Sequence, residues 1–142
     1  KYVDKDGSEK TPVVLHRAIL GSLDRFMAYL IEETKGRFPT WLAPVQVKVL
    51  PISEKTHEYA NAAYNRLRAM GVRVQIDDRS ETIGYKIREA RQVDRVPYML
   101  VIGEKEVEAG LVAVRDRATD KTQTMTMDEF CDKLAKEIAE RA

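Results

Sequence analysis

The stretch Leu15-His16-Arg17-Ala18-Ile19-Leu20-Gly21-Ser22-Leu23-Asp24-Arg25-Phe26 holds the residues best placed for chemistry. An apolar run turns at Gly21-Ser22 into a helical pattern, and Arg25 falls in the first helical turn. Free N–H groups and the dipole at a helix start attract anions, and a guanidinium there adds a charged fork for phosphate. On residue types alone the plainer account is that Ser22 is a cap, Gly21 a turn and Arg25 a solvated cation. His16 and His57 are the whole imidazole supply, and Cys131 is the single thiol. That excludes an intramolecular disulfide and a cysteine-rich zinc site. No Gly-x-x-x-x-Gly-Lys-Ser/Thr, Gly-x-Gly-x-x-Gly or Gly-x-Ser-x-Gly run is present, so phosphate-loop, dinucleotide and nucleophile-elbow chemistry have no sequence basis.

The elements that must position these residues read as follows. Asp6-Gly7 predicts a tight hairpin turn, with Thr11–Leu15 as the return strand. Residues 22–35 predict a helix with Ser22 as N-cap and Gly36 as C-cap; Leu23, Phe26, Met27, Leu30 and Ile31 recur at helical spacing. Residues 36–44 carry two prolines in a short stretch and predict a linker pinned by Phe38 and Trp41. From Val45 onward strand and helix patterns alternate. Strands are expected at 45–50, 72–76 and 98–102, with a closing hairpin of Leu111–Arg115 and Gln123–Met125. Helices are expected over 53–70, with Tyr59, Ala62, Ala63, Leu67 and Met70 inward, around Ile83, Ile87, Ala90 and Val93, and after the capping box Thr126–Glu129. The fold class is α/β: a mixed, mainly parallel five-stranded sheet flanked by three helices, preceded by a hairpin and helix. The expected division is 1–35, a linker 36–44, and a second domain 45–142.

With 142 residues, 24 Lys plus Arg and 23 Asp plus Glu, the formal charge is +1. Both signs are interspersed, which excludes a polycation or an acidic tail. Arg79, Lys86, Arg88, Arg91 and Arg95 against Glu81, Glu89 and Asp94 give the second helix and its approaches a local excess of about +2, enough for phosphate contact without demanding it. No apolar run is long enough to span a membrane, and the lone cysteine fits a reducing, cytoplasmic setting. The absence of an initiating Met suggests a fragment or a processed product.

The Leu15–Phe26 stretch resembles motif 3 of the class II aminoacyl-tRNA synthetases, in the form of the threonyl branch. Further blocks extend the resemblance over nearly the whole chain: Pro39-Thr40-Trp41-Leu42-Ala43-Pro44-Val45-Gln46-Val47, Ile83-Gly84-Tyr85-Lys86-Ile87-Arg88-Glu89, Val96-Pro97-Tyr98-Met99-Leu100-Val101 and Gly103-Glu104-Lys105-Glu106-Val107-Glu108-Ala109-Gly110. The resemblance implies that residues 1–35 end a catalytic domain and that 45–142 form an anticodon-binding domain. It implies Arg25 on ATP phosphate, Ser22 at the threonine site, and His16 as the last of three zinc ligands whose partners lie outside this chain. It further implies Glu106 and Arg115 as readers of the second and third anticodon bases, with Arg88 and Ser80 beside them; Ser80 stands where the family can place an asparagine. A glutamate can accept hydrogen bonds from a guanine edge and an arginine can stack on or bond to an unpaired base. ATP and Zn2+ would serve the parent enzyme, and neither is expected on the fragment. The implied partners are the tRNA(Thr) anticodon stem-loop here, threonine and ATP in the parent, and a second parent subunit through a region absent from this chain. The alternative is a non-catalytic accessory or regulatory interaction module on the same fold.

Overall fold

A computed structural model describes residues 1–141. Its first part is sparse. Strands β1 (Tyr2–Val3) and β2 (Glu9–Lys10) pair antiparallel around a turn in which Gly7, at φ 76°, donates to the Asp4 carbonyl at 2.9 Å. The expected hairpin is present, but its return strand is Glu9–Lys10 rather than Thr11–Leu15. Residues 11–17 are irregular and exposed. Pro12 has no N–H to give a ladder, and Val13, Val14 and Leu15 have no strand beside them. Helix α1 (Leu23–Thr34) starts at Ser22, as its spacing predicts. Lys35 takes the left-handed position at its end, with the left-handed Gly36 after it. None of the α1 residues is buried.

The second part is a mixed five-stranded sheet with helices. Its strands are β3 (Val47–Pro51), β4 (Val74–Ile76), β5 (Tyr98–Ile102), β6 (Leu111–Asp116) and β7 (Thr122–Thr126), in the spatial order β4-β3-β5-β6-β7. β3 runs parallel to β4 and β5, while β5–β6 and β6–β7 are antiparallel, so parallel pairing is half of the sheet rather than most of it. The helices are α2 (His57–Ala69), entered through the 3-10 turn Glu54–Thr56, α3 (Ile83–Gln92), α4 (Glu104–Ala109) and α5 (Met127–Glu140). Three helices were expected; α4 is a fourth, in the run 104–108.

Strand alternation splits the core into two layers. Val47, Val49, Leu100, Ile102, Val112 and Val114 point to one side and pack with Ala60, Ala63 and Leu67 of α2 and Phe130, Cys131 and Leu134 of α5. Phe130 meets the Tyr98 ring edge-on at 5.6 Å. A fully buried side chain of its size stabilises the fold by about 1.5–3 kcal/mol. Leu50 and Met99 point to the other side and pack with Ala90 of α3 and with Val96. Ala60 rather than Ala62 faces inward from α2, and Met70 and Val93 are exposed because each lies just past its helix. Cys131 is buried, and burial pushes its thiol pKa up, which removes nucleophilic reactivity.

The segment 36–44 is pinned to this body by more than its aromatics. Phe38 and Thr40 are buried. Gln46 donates to the Thr40 carbonyl at 2.9 Å, and Arg73 donates to the carbonyls of Ala43 at 2.9 Å and Trp41 at 2.7 Å. Arg117 donates to the Phe38 carbonyl at 2.7 Å. Trp41 itself stays partly exposed beside the Arg141 guanidinium.

Candidate nucleic-acid interface

α3 lies over β3 on one face of the sheet, while α5 packs on β6 and β7 from the other face. The register places Ala113 and Arg115 of β6 beside Thr124 and Thr122 of β7 on the α3 side. Thr122 and Thr124 are exposed. This half-face is therefore open, polar and edged by α3.

Arg115 stands at one end of it, opposite Met99 near the start of β5 and Thr122 at the start of β7. Its Nη2 donates to Asp120 Oδ1 at 3.1 Å, and Asp120 Oδ2 lies 3.0 Å from Nη2 of Arg91 on α3. Arg115 Nε is buried with no acceptor among the described residues. The Arg115 guanidinium holds the Asp120 carboxyl below the usual carboxylate range. Arg88, also on α3, is exposed and has no ion-pair partner among the described residues.

Glu106 sits at the carboxyl end of the sheet. The Gly103-x-x-Glu106 spacing folds as the first turn of α4, and Glu106 Oε2 accepts the Gly103 N–H at 2.9 Å. Glu106 is half-buried and caps a helix. One carboxylate oxygen does the capping, and the other keeps its acceptor capacity. Leu111, which starts β6, lies at this same end. Arg115 is four residues further, about 13 Å along the strand.

Ser80 lies in the loop between β4 and α3. It lines a cleft of about 240 Å³ with Pro51, Ser53, His57 and Lys86, where the carboxyl ends of β3 and β4 diverge toward helices on opposite faces. The loop is rigidly built. Arg79 donates to both carboxylate oxygens of the buried Asp77 at 2.9 and 2.7 Å and also pairs with Glu89. Hydrogen bonds from Arg79 hold the Asp77 and Glu89 carboxyls below their usual range. The buried Lys86 ammonium donates to the carbonyls of Asp77 at 2.9 Å and Pro51 at 3.3 Å, tying the two strand ends together. Arg79 and Lys86 are therefore committed to structure.

The fold does not bring the four predicted residues together: Glu106 and Ser80 lie toward the carboxyl ends of β5 and β4, Arg115 lies opposite Met99 at the amino end of β5, and Arg88 is on α3. His16, Ser22 and Arg25 stand apart on the exposed first part. Ser22 caps α1 by backbone position alone, with no side-chain hydrogen bond. Among the described residues no three His, Cys, Asp or Glu side chains meet as a metal site, so the residues present do not fit a zinc ion and no step is routed through one. No described helix is long and apolar enough to cross a membrane. Asp120 escaped the sequence reading. Its only signal was its place in the Asp116-to-Lys121 turn, and its bond to Arg91 requires α3 to lie beside that turn.

The fold defines the class: an α/β body with helices on both faces of a mixed five-stranded sheet and Thr122 and Thr124 exposed along its β7 edge. The model of the family described as "Anticodon binding domain" matches residues 46–137, and the chain belongs to that family. It is 52% identical over 142 residues to a threonine–tRNA ligase of Caldanaerobacter subterraneus subsp. tengcongensis, covering all of this chain and 22% of that protein. It is 49% identical to the threonine–tRNA ligase of Anoxybacillus flavithermus over 96% of this chain and 21% of the relative. The chain thus spans about a fifth of the length of these relatives. Among solved structures, the RNA binding domain of threonyl-tRNA synthetase from Cryptosporidium parvum Iowa II superposes with a TM-score of 0.79 at 42% identity, over 84% of this chain and 30% of that one. Prolyl-tRNA synthetase of Cryptosporidium parvum follows at TM-score 0.64 and 31% identity, over 72% of this chain and 22% of that one.

Proposed function

We propose that this chain is the C-terminal part of a threonine–tRNA ligase and that residues 45–142 bind the anticodon loop of tRNA(Thr). The observation that carries this is membership of the anticodon-binding family, with Arg115 at one end of the exposed β6–β7 half-face and Glu106 at the opposite, carboxyl end of the sheet. Single-stranded bases splay onto such a surface, where Glu106 accepts from a guanine edge and Arg115 bonds to or stacks on the neighbouring base. Arg88 meets phosphate, and Ser80 offers a hydroxyl at the cleft. In this proposal residues 1–35 end the catalytic domain and 36–44 join it to the RNA-binding body. The parent would activate threonine with ATP, with Arg25 on phosphate, Ser22 at the threonine site and His16 among three zinc ligands, and it would work in the cytoplasm as a homodimer.

The test is equilibrium binding of the chain to a tRNA(Thr) anticodon stem-loop and to loops with the second and third anticodon bases changed, at fixed moderate salt. Preference for the native loop supports the reading. Equal, salt-sensitive binding to all loops would leave only phosphate contacts and favour the interaction-module alternative.

A further inference from the structure

We propose that Asp120 is the positioning residue of this interface: its carboxylate, held between Arg115 of β6 and Arg91 of α3, aims the Arg115 guanidinium and so sets base discrimination. The inference rests on the anticodon-loop reading and adds to it a residue that acts only through its arginine partners.

Three observations carry it. Asp120 contacts both arginines at once, at 3.1 Å to Arg115 and 3.0 Å to Arg91, one through each carboxylate oxygen. Asp120 is itself fixed. Its backbone is left-handed at φ 54°, which aspartate tolerates better than most residues, and its N–H donates to the Asp116 carbonyl at 3.0 Å. The same turn is closed by the Asp116 carboxylate on the Ala118 N–H at 2.7 Å, and Arg117 anchors it to the carbonyls of Arg95 and Phe38, both at 2.7 Å. Finally, Arg115 has no other side-chain or backbone acceptor among the described residues, and its Nε is buried unpaired. Asp120 is thus what orients this planar fork. A guanidinium fixed at one Nη presents its remaining donors in one plane, whereas a released one samples many. Two arginines sharing one carboxylate also keep a net charge of only +1, which limits indiscriminate attraction to phosphate.

The test is binding of native and base-changed anticodon stem-loops by the 142-residue chain across a salt series, for wild type, Asp120→Ala, Asp120→Asn, Arg115→Ala and the double variant Asp120→Ala/Arg115→Ala. Asp120→Ala is expected to lower the native-to-changed affinity ratio about tenfold, the scale of one lost oriented hydrogen bond to a charged group. It is also expected to steepen the salt dependence as two arginines are released toward phosphate. Asp120→Asn, which keeps the shape and one acceptor oxygen, retains more of the ratio. The double variant discriminates no worse than Arg115→Ala alone, because Asp120 acts through Arg115. An unchanged ratio in Asp120→Ala, or a loss that adds to that of Arg115→Ala, overturns the inference while the anticodon reading stands. A purely structural role would weaken both loops in proportion, leave the ratio intact and so also refute it. A wild-type chain without preference removes the anticodon reading and this inference together.

Discussion

Asp77 is the residue on which the acid sensitivity of the loop between β4 and α3 turns. Its buried carboxylate accepts two hydrogen bonds from Arg79 and stands next to the Lys86 ammonium. The folded-state pKa lies below the ordinary value, so its stabilising contribution is complete above about pH 4 and is lost as the pH falls through the depressed value. Asp77→Asn is expected to cost about 1–2 kcal/mol at neutral pH, because the half-exposed Arg79 keeps Glu89 but loses its charged bidentate acceptor. It should also flatten the acid limb. Urea midpoints from pH 7 to pH 2.5 check this; a variant with the acid slope of wild type would contradict the assignment. At this scale the sequence was least explicit. Glu106 lies in one of the quoted blocks and Arg115 was matched to the family by position alone, since nothing in their local spacing sets them apart from other surface charges. Asp120 was not marked, because only the fold brings Arg91 of the distant α3 to the turn that follows Arg115.

Helix α4 and its cap define the element scale. A Cβ added to Gly103 would lie 2.8 Å from Glu106 Oε2 and 3.0 Å from Ile52 Cδ1. Gly103→Ala is therefore expected to displace the capping carboxylate, costing about 1–2 kcal/mol. The same change should weaken binding of an anticodon stem-loop by moving Glu106. Thermal denaturation and the binding assay, run side by side, check both; unchanged affinity would separate Glu106 from the RNA. Thr126→Ala at the start of α5 serves as a contrast. Its hydroxyl accepts the Glu129 N–H at 3.2 Å, so the cap is worth about 1 kcal/mol with no expected effect on base preference. Most elements were legible in the sequence, because β5 is a continuous apolar run, β3 alternates Val47 and Val49 with Lys48, and α3 and α5 carry helical spacing. α4 was not: six residues are too short for periodicity to speak, and its charges read as a loop. The return strand at Thr11–Leu15 failed because β-branched composition alone cannot supply a pairing partner.

The whole molecule divides in stability along with its burial. The buried core side chains run from Phe38 onward, in or beside the sheet and its helices, whereas α1 buries none and Val13, Leu15, Ile19 and Leu23 are exposed. Amide exchange is expected to be fast through residues 11–22, intermediate in α1, and slowest in β5, the central strand, and its parallel neighbour β3. Protection of 11–22 comparable to β5 would contradict that division. The linker was read as a stiff spacer from its prolines. Its fastening by Arg73 and Arg117 came from the distant strands and turns that supply them, so it could not be read locally.

The most direct measurement is the affinity ratio for a tRNA(Thr) anticodon stem-loop over one with the second and third anticodon bases changed, in wild type, Glu106→Ala and Arg115→Ala. The account predicts a clear preference in wild type that falls by about tenfold or more in each variant, the scale of a single base-reading contact. A preference that survives both substitutions would contradict the central claim that these two side chains read the anticodon.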